Sequence, residues 1–374
     1  KGANSVSTNT ALGVTALASG SLSGTNNTAV GYLAMSLNTT GSANTAIGKE
    51  SLTANTTGAT TVAIGHKSLL ANTTGNSNTA IGFESLISNN TASFNTAVGY
   101  QTLYDNTTGA SNVALGAYAL TNSTTASNNV AVGYQALFDN TTGTSLVALG
   151  YQALANNTTA SQNTAVGWQA LYDNTTGANN VGLGYAALEN NTTASSNVAI
   201  GWAALYYNTT ASNNTAVGSQ ALFNNTTGAS NVALGTNALA NNTTGAFNVA
   251  LGQQALSNTT TGGNLTAVGF YALGSNTTQY WNTAVGYTAA NANTTGTVTA
   301  IGANALYSNT TGVANVAVGG YTGTGATEQG ALYGNTTGGR NTAVGIAALK
   351  SNTTADNNTA VGYQAVYANT TGSE

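Results

Sequence analysis

The glycine of a five-residue motif, typically Asn-Thr-Ala-Val-Gly, returns every 17 residues from Gly31 to Gly286. A period that holds without drift fixes the length of each copy by contact with its neighbours, which is the mark of a solenoid. At the ends the step varies: Gly13 precedes Gly31 by 18 residues, Gly302 follows Gly286 by 16, and Gly345 follows Gly319 by 26. The beat then resumes at Gly362. These steps predict one repeat solenoid over 1–374 with about 21 coils, one of which carries an inserted loop at 320–328.

The coil from Asn95 to Ser111 sets the numbering, with Asn95 as position one and Ser111 as position seventeen. Position four is Val, Ile or Leu, as in Val98, Leu115, Val132 and Leu149, and position nine is nearly always Leu, as in Leu103, Leu120 and Leu137. Both read as core rows. Ala holds position three except at Gly182, so something approaches too closely there for a larger side chain, and position eight is likewise small. Position two alternates between Thr and Val, a β-branched site that is at most partly buried. Each coil has at least one Gly, several Asn and Thr and few strong helix formers, a composition that penalises helices. The expected fold class is therefore all-β, a parallel β-solenoid or β-roll. Positions one to four and six to ten form its short strands, the glycine bends between them, and eleven to seventeen make the returning turn. Coils stacked at about 4.8 Å would make a rod on the order of 100 Å long.

Charge is scarce, at 4% of residues with a net −4, so the sequence offers no basic patch for a phosphate backbone. No apolar run reaches the roughly 18 residues of a membrane span, and with no cysteine there is neither a disulfide framework nor a thiolate metal site. The expectation is no nucleic acid, no membrane insertion, no cofactor and no metal. The start at Lys1 without methionine reads as a processed or excerpted segment. Neither end shows a polar cap, which points to a longer repeat or to subunits stacked end to end.

The Asn-Thr-Thr turn places an N-glycosylation sequon in most coils, headed by Asn38, Asn55, Asn72, Asn106, Asn140, Asn157, Asn174, Asn191, Asn208, Asn225, Asn242, Asn276, Asn293, Asn309, Asn335, Asn352 and Asn369. Asn89, Asn122 and Asn258 serve in variant coils. One reading is a sugar-coated ridge; the other is an unmodified ladder of good turn formers bonding to local backbone. Equivalent residues stand only about 4.8 Å apart, so branched glycans on every coil would collide. Partial occupancy, or small sugars on Thr, fits better. A row of outward Thr also suggests ice binding, but adjacent Thr point to opposite faces and leave one hydroxyl per coil.

Position six carries aromatic rings, among them Tyr100, Tyr134, Tyr151, Trp168, Tyr185 and Trp202. They suit a platform for sugars or a seam to another chain, and a stripe this long favours the seam. His66 is the one histidine, in an ordinary position-six slot, and Asp105, Asp139 and Asp173 recur two coils apart, too far to share a metal ion. No nucleophile, base and orienting group converge in the sequence, so no enzyme is expected.

Stretches such as Asn197-Val198-Ala199-Ile200-Gly201 and Asn248-Val249-Ala250-Leu251-Gly252 resemble the head repeats of YadA-like trimeric autotransporter adhesins and related repeats of trimeric phage tail fibres. That resemblance implies a left-handed parallel β-roll with three chains side by side, displayed outside the cell. The function expected from all this is structural: an extracellular, cell-surface or virion-surface fibre that self-associates as a homotrimer or filament, with covalent glycans on the Asn-Thr-Thr ridge. The alternatives are the shaft of an adhesin head or phage tail fibre used for attachment and, third, an ice-binding solenoid.

Overall fold

The computed structural model describes residues 8–321, 323 and 329–372. Most of the inserted segment 320–328, namely 322 and 324–328, lies outside the described residues. The chain is all-β, a parallel β-solenoid with one strand per coil, 21 strands and no helix among the described residues. Its coils fall into two compact units, Lys1–Leu183 with Asn191–Thr193, and Gly184–Asn190 with Ala194–Glu374. The first contains strands β1 (Thr10–Leu12) to β11 (Val181–Leu183) and the second β12 (Val198–Ile200) to β21 (Thr359–Val361). Within each unit every strand pairs in parallel with the next, alanine on alanine, as in Ala97 on Ala114 and Ala216 on Ala233. The insertion does not break this ladder, since Ala317 pairs with Ala343 across it.

Each strand covers only positions two to four, and its parity decides what is inside. Side chains alternate across a strand, and Ala97 at position three is fully buried while its neighbours are not. Position four is therefore an outer row and not a core row as its composition suggested. Ile47, Ile81, Leu115, Ile200 and Leu234 at this position are all exposed. The core of a coil consists instead of Ala at positions three and eight, Leu at position nine, and the asparagines of positions one and twelve, as in Ala97, Leu103, Asn95 and Asn106. Each buried Leu contributes roughly 1.5–3 kcal/mol of transfer free energy, and apart from Met35 these are the largest fully buried side chains among the described residues.

The second expected strand, positions six to ten, is absent. Here the backbone alternates in sign: Gly99 has φ 140°, Gln101 48° and Leu103 50°. The amides still bond between coils, with Gln101 N–H donating to the preceding Phe83 carbonyl at 3.0 Å and Leu103 N–H to the following Ala119 carbonyl at 3.0 Å. Stacking is thus maintained without extended backbone. The positive φ at position nine also explains why it holds Leu, with Met35 and Ala290 as variants, and a β-branched residue only at Val366 in the last coil. Branching at Cβ is poorly tolerated in the left-handed region.

Candidate functional site

The Asn-Thr-Thr edge folds inward. Asn106 Nδ2 donates to the Gly109 carbonyl of its own turn at 3.0 Å and to Asn89 Oδ1 of the preceding coil at 2.9 Å. Asn95 Nδ2 clamps the same Gly109 carbonyl from the strand side at 2.8 Å, and its Oδ1 accepts the Asn112 amide of the next coil at 2.9 Å. Two asparagine rows thus tie the turn to the strand and each coil to its neighbour, which satisfies the polar groups that a turn would otherwise bury unpaired.

This placement favours the unmodified ladder over the sugar-coated ridge. Asn38, Asn55, Asn72, Asn106, Asn140, Asn157, Asn174, Asn191, Asn208, Asn225, Asn242, Asn276, Asn293, Asn309, Asn335 and Asn352 have no solvent exposure, nor has Asn89. A buried Nδ2 that already donates hydrogen bonds is not available for a glycan in this fold. Only Asn369, in the last coil, is half-buried, while the variant-coil residues Asn122 and Asn258 are half-buried and exposed. What faces solvent most along this edge is the second Thr: Thr141 is half-buried, its Oγ1 donating to the Thr158 carbonyl at 3.0 Å, whereas Thr142 is exposed.

The amide ladder breaks where position twelve is not Asn. Ser123 is too short to reach back, and both its Oγ and Asn106 Oδ1 are buried without a partner. Thr259 likewise leaves Asn242 Oδ1 unpaired. Ser123→Asn should supply donors to Asn106 Oδ1 and an acceptor for Asn140 Nδ2, raising stability by about 1–3 kcal/mol. A thermal melt of the variant against the parent protein checks this, with an unchanged midpoint as the contrary outcome.

At position eleven Asp105, Asp139 and Asp173 alternate with Asn122, Asn156 and Asn190, a 34-residue period that the contacts explain. Asn122 Nδ2 donates to Asp139 Oδ1 at 2.8 Å, and Asn156 Nδ2 to Asp173 Oδ1 at 2.9 Å. Aspartate in every coil would stack like charges about 4.8 Å apart, whereas alternation turns repulsion into hydrogen bonds. Burial pushes the Asp105 carboxyl above its usual range. No group of three His, Cys, Asp or Glu side chains placed to hold a metal ion occurs among the described residues. His66 stacks on Phe83, centroids 5.2 Å apart, as one more ring of the position-six row.

That row is the clearest surface feature. Tyr100, Tyr134, Tyr151, Trp168, Tyr185 and Trp202 are each 38–50% exposed. Successive rings stack: Phe83 on Tyr100 at 5.2 Å, Tyr134 on Tyr151 at 5.5 Å, Tyr151 on Trp168 at 6.1 Å, and Tyr185 on Trp202 at 6.5 Å. Ring faces are thus used within the ladder, and a sugar-stacking platform needs free faces. Beside the rings runs the position-four row of Val, Ile and Leu, so the outer face is a broad apolar stripe rather than a line of aromatics.

The ring row stops at Ser219, Thr236 and Gln253. In these coils a groove of about 400 Å³ opens, walled by Gln220, Asn237 and Gln254 at position seven and by Asn224, Asn241 and Asn258 at position eleven. The sequence signal for it is a run of small residues at position ten, Ala240, Ser257 and Gly274, after Tyr206 and Phe223.

No protein-family model matches this chain, and a search of curated proteins finds no match either.

Proposed function

We propose that this chain is a structural, non-enzymatic protein whose coils associate with a second copy through the outer stripe, as part of an extracellular fibre. The observation that carries this reading is that Val, Ile and Leu of position four lie outside, next to the stacked rings of position six. An exposed apolar strip of this extent is unusual for a protein that works alone. Identical coils present the same rows to every copy, so the stripe is complementary to itself under two-fold or cyclic symmetry. It is also almost uncharged, with Lys49 and His66 the basic side chains of the position-six row. A charged partner would gain nothing from it.

The test is Tyr100→Ser, Tyr134→Ser and Tyr151→Ser combined, with particle mass read by sedimentation. Ser219 already occupies this position in another coil, so the variant should fold. The expected result is dissociation to a smaller particle, and an unchanged mass would refute the seam.

A further inference from the structure

We infer that the groove over the coils of Gly218, Gly235 and Gly252 is a binding site for a neutral oligosaccharide, an interaction separate from self-association through the stripe. The chain makes this groove by withdrawing bulk and keeping amides. Elsewhere position ten is often filled by a ring, as at Tyr104, Phe138 and Tyr172. Here Ala240 and Ser257 leave a floor, and both ends are closed by aromatic residues. Phe223 closes one end, held by stacking on Tyr206 at 5.3 Å. Tyr271 closes the other, its ring lying over Gly274, where an added Cβ would come within 2.8 Å of ring carbon Cδ1.

The walls are left with unused hydrogen-bonding capacity. In the first unit the position-seven row is a closed ladder, Gln152 donating to Gln135 and Gln169 to Gln152, each at 2.8 Å. In the groove Asn237 interrupts the same row, one methylene too short to continue it. No side-chain hydrogen bond within the protein engages Gln220, Asn237 or Gln254 among the described residues. Opposite them, Asn224 Nδ2 donates to Asn241 Oδ1 at 3.1 Å, and the next step, Asn241 to Asn258, stretches to 3.5 Å. Each primary amide offers two donors and an acceptor, so most of this capacity faces the groove.

The electrostatics choose the ligand class. No Asp, Glu, Lys, Arg or His occurs between Glu189 and Glu328, so nothing here compensates a phosphate, carboxylate or amine. A neutral ligand dense in hydroxyls matches side-by-side donors and acceptors, and rings at the ends supply apolar edges. The volume is at the low end of the roughly 300–1,000 Å³ of small-molecule sites. Amide pairs repeating about every 4.8 Å over three coils suit a short linear glycan, with one sugar ring per coil.

The test uses the whole chain with maltotriose, cellotriose and chitotriose as neutral probes and sialyllactose as a charged one, read by ligand-observed saturation-transfer NMR and titration. At least one neutral trisaccharide should bind saturably, and more tightly than sialyllactose. Ala240→Tyr puts in the groove the residue other coils carry at position ten, so it should keep the parent melting profile and weaken binding at least tenfold. Asn237→Gln should re-form the closed row and weaken binding less. Failure of all three neutral probes to bind, preference for sialyllactose, or an Ala240→Tyr protein that binds as the parent does, would each overturn the proposal. Ser substitutions in the stripe at Tyr100, Tyr134 and Tyr151 leave binding unchanged under it, which separates this site from the seam.

Discussion

Replacing Gly150 by alanine is expected to destabilise the first unit by about 2–5 kcal/mol, the sum of a glycine-only backbone conformation and a forced close contact. Gly150 has φ 141°, and a Cβ there would come 2.3 Å from the Gly167 carbonyl oxygen of the next coil. The stacked backbone occupies the space, and backbone cannot rotate away. Gly143→Ala is the control. Its added Cβ also meets a carbonyl, Ala160 O at 2.2 Å, but its φ is not positive, and the chain places Ala92, Ala126 and Ala160 in the same row. A small shift evidently suffices, so this variant should change stability by less than about 1 kcal/mol. Chemical denaturation with hydrogen exchange at β9 (Val147–Leu149) and β10 (Thr164–Val166) reads both; equal effects would show that position five is merely a turn.

The second large effect is expected at Asn225→Asp, which changes one atom pair. Asn225 Nδ2 donates to Asn208 Oδ1 and to the Gly228 carbonyl, each at 2.9 Å, and its Oδ1 accepts Asn242 Nδ2 at 2.8 Å. A carboxylate would direct charge at two acceptors in a fully buried site, costing about 3–5 kcal/mol at neutral pH. Protonation restores one donor, so the folded-state pKa of the new acid lies above the unfolded value near 3.9. The sign follows: the folded state binds the proton more tightly, so the penalty is smallest below that unfolded value and grows as pH rises towards the folded one. Asn224→Asp, on the adjoining residue, should cost less than about 1 kcal/mol, because that row already accepts Asp105, Asp139 and Asp173. Melting both variants between acid and neutral pH checks the pair; a pH-independent Asn225→Asp would contradict the buried ladder.

The sequence made the period, the β class and the parallel stacking legible, because only Gly fits position five and only a short side chain fits position three. The two faces were harder. Position four looks like a core row by composition alone, yet the constancy of Ala97 and its equivalents already implied that positions two and four point outward. The asparagines were left between two readings for a related reason. A sequon and an internal amide ladder use the same residues, and the distinguishing cue is that position twelve departs from Asn only to Ser123 and Thr259 in the sequon-bearing turns, whereas the mostly half-buried position eleven varies freely. The missing second strand left no mark in hydrophobic pattern, since the exclusion of β-branched residues at position nine is a backbone signal. The groove is written in what three coils lack, and it becomes visible only once position ten is known to line a surface trough.

High-resolution cryo-electron microscopy of native assemblies tests the central claim most directly. The predicted map has the position-four and position-six side chains, Val132 and Tyr134 among them, packed against a second copy, with Asn106 and its equivalents inside the coil and free of attached density. A map in which that face meets only solvent, or in which density extends from Asn106 Nδ2 as a glycan, would contradict it.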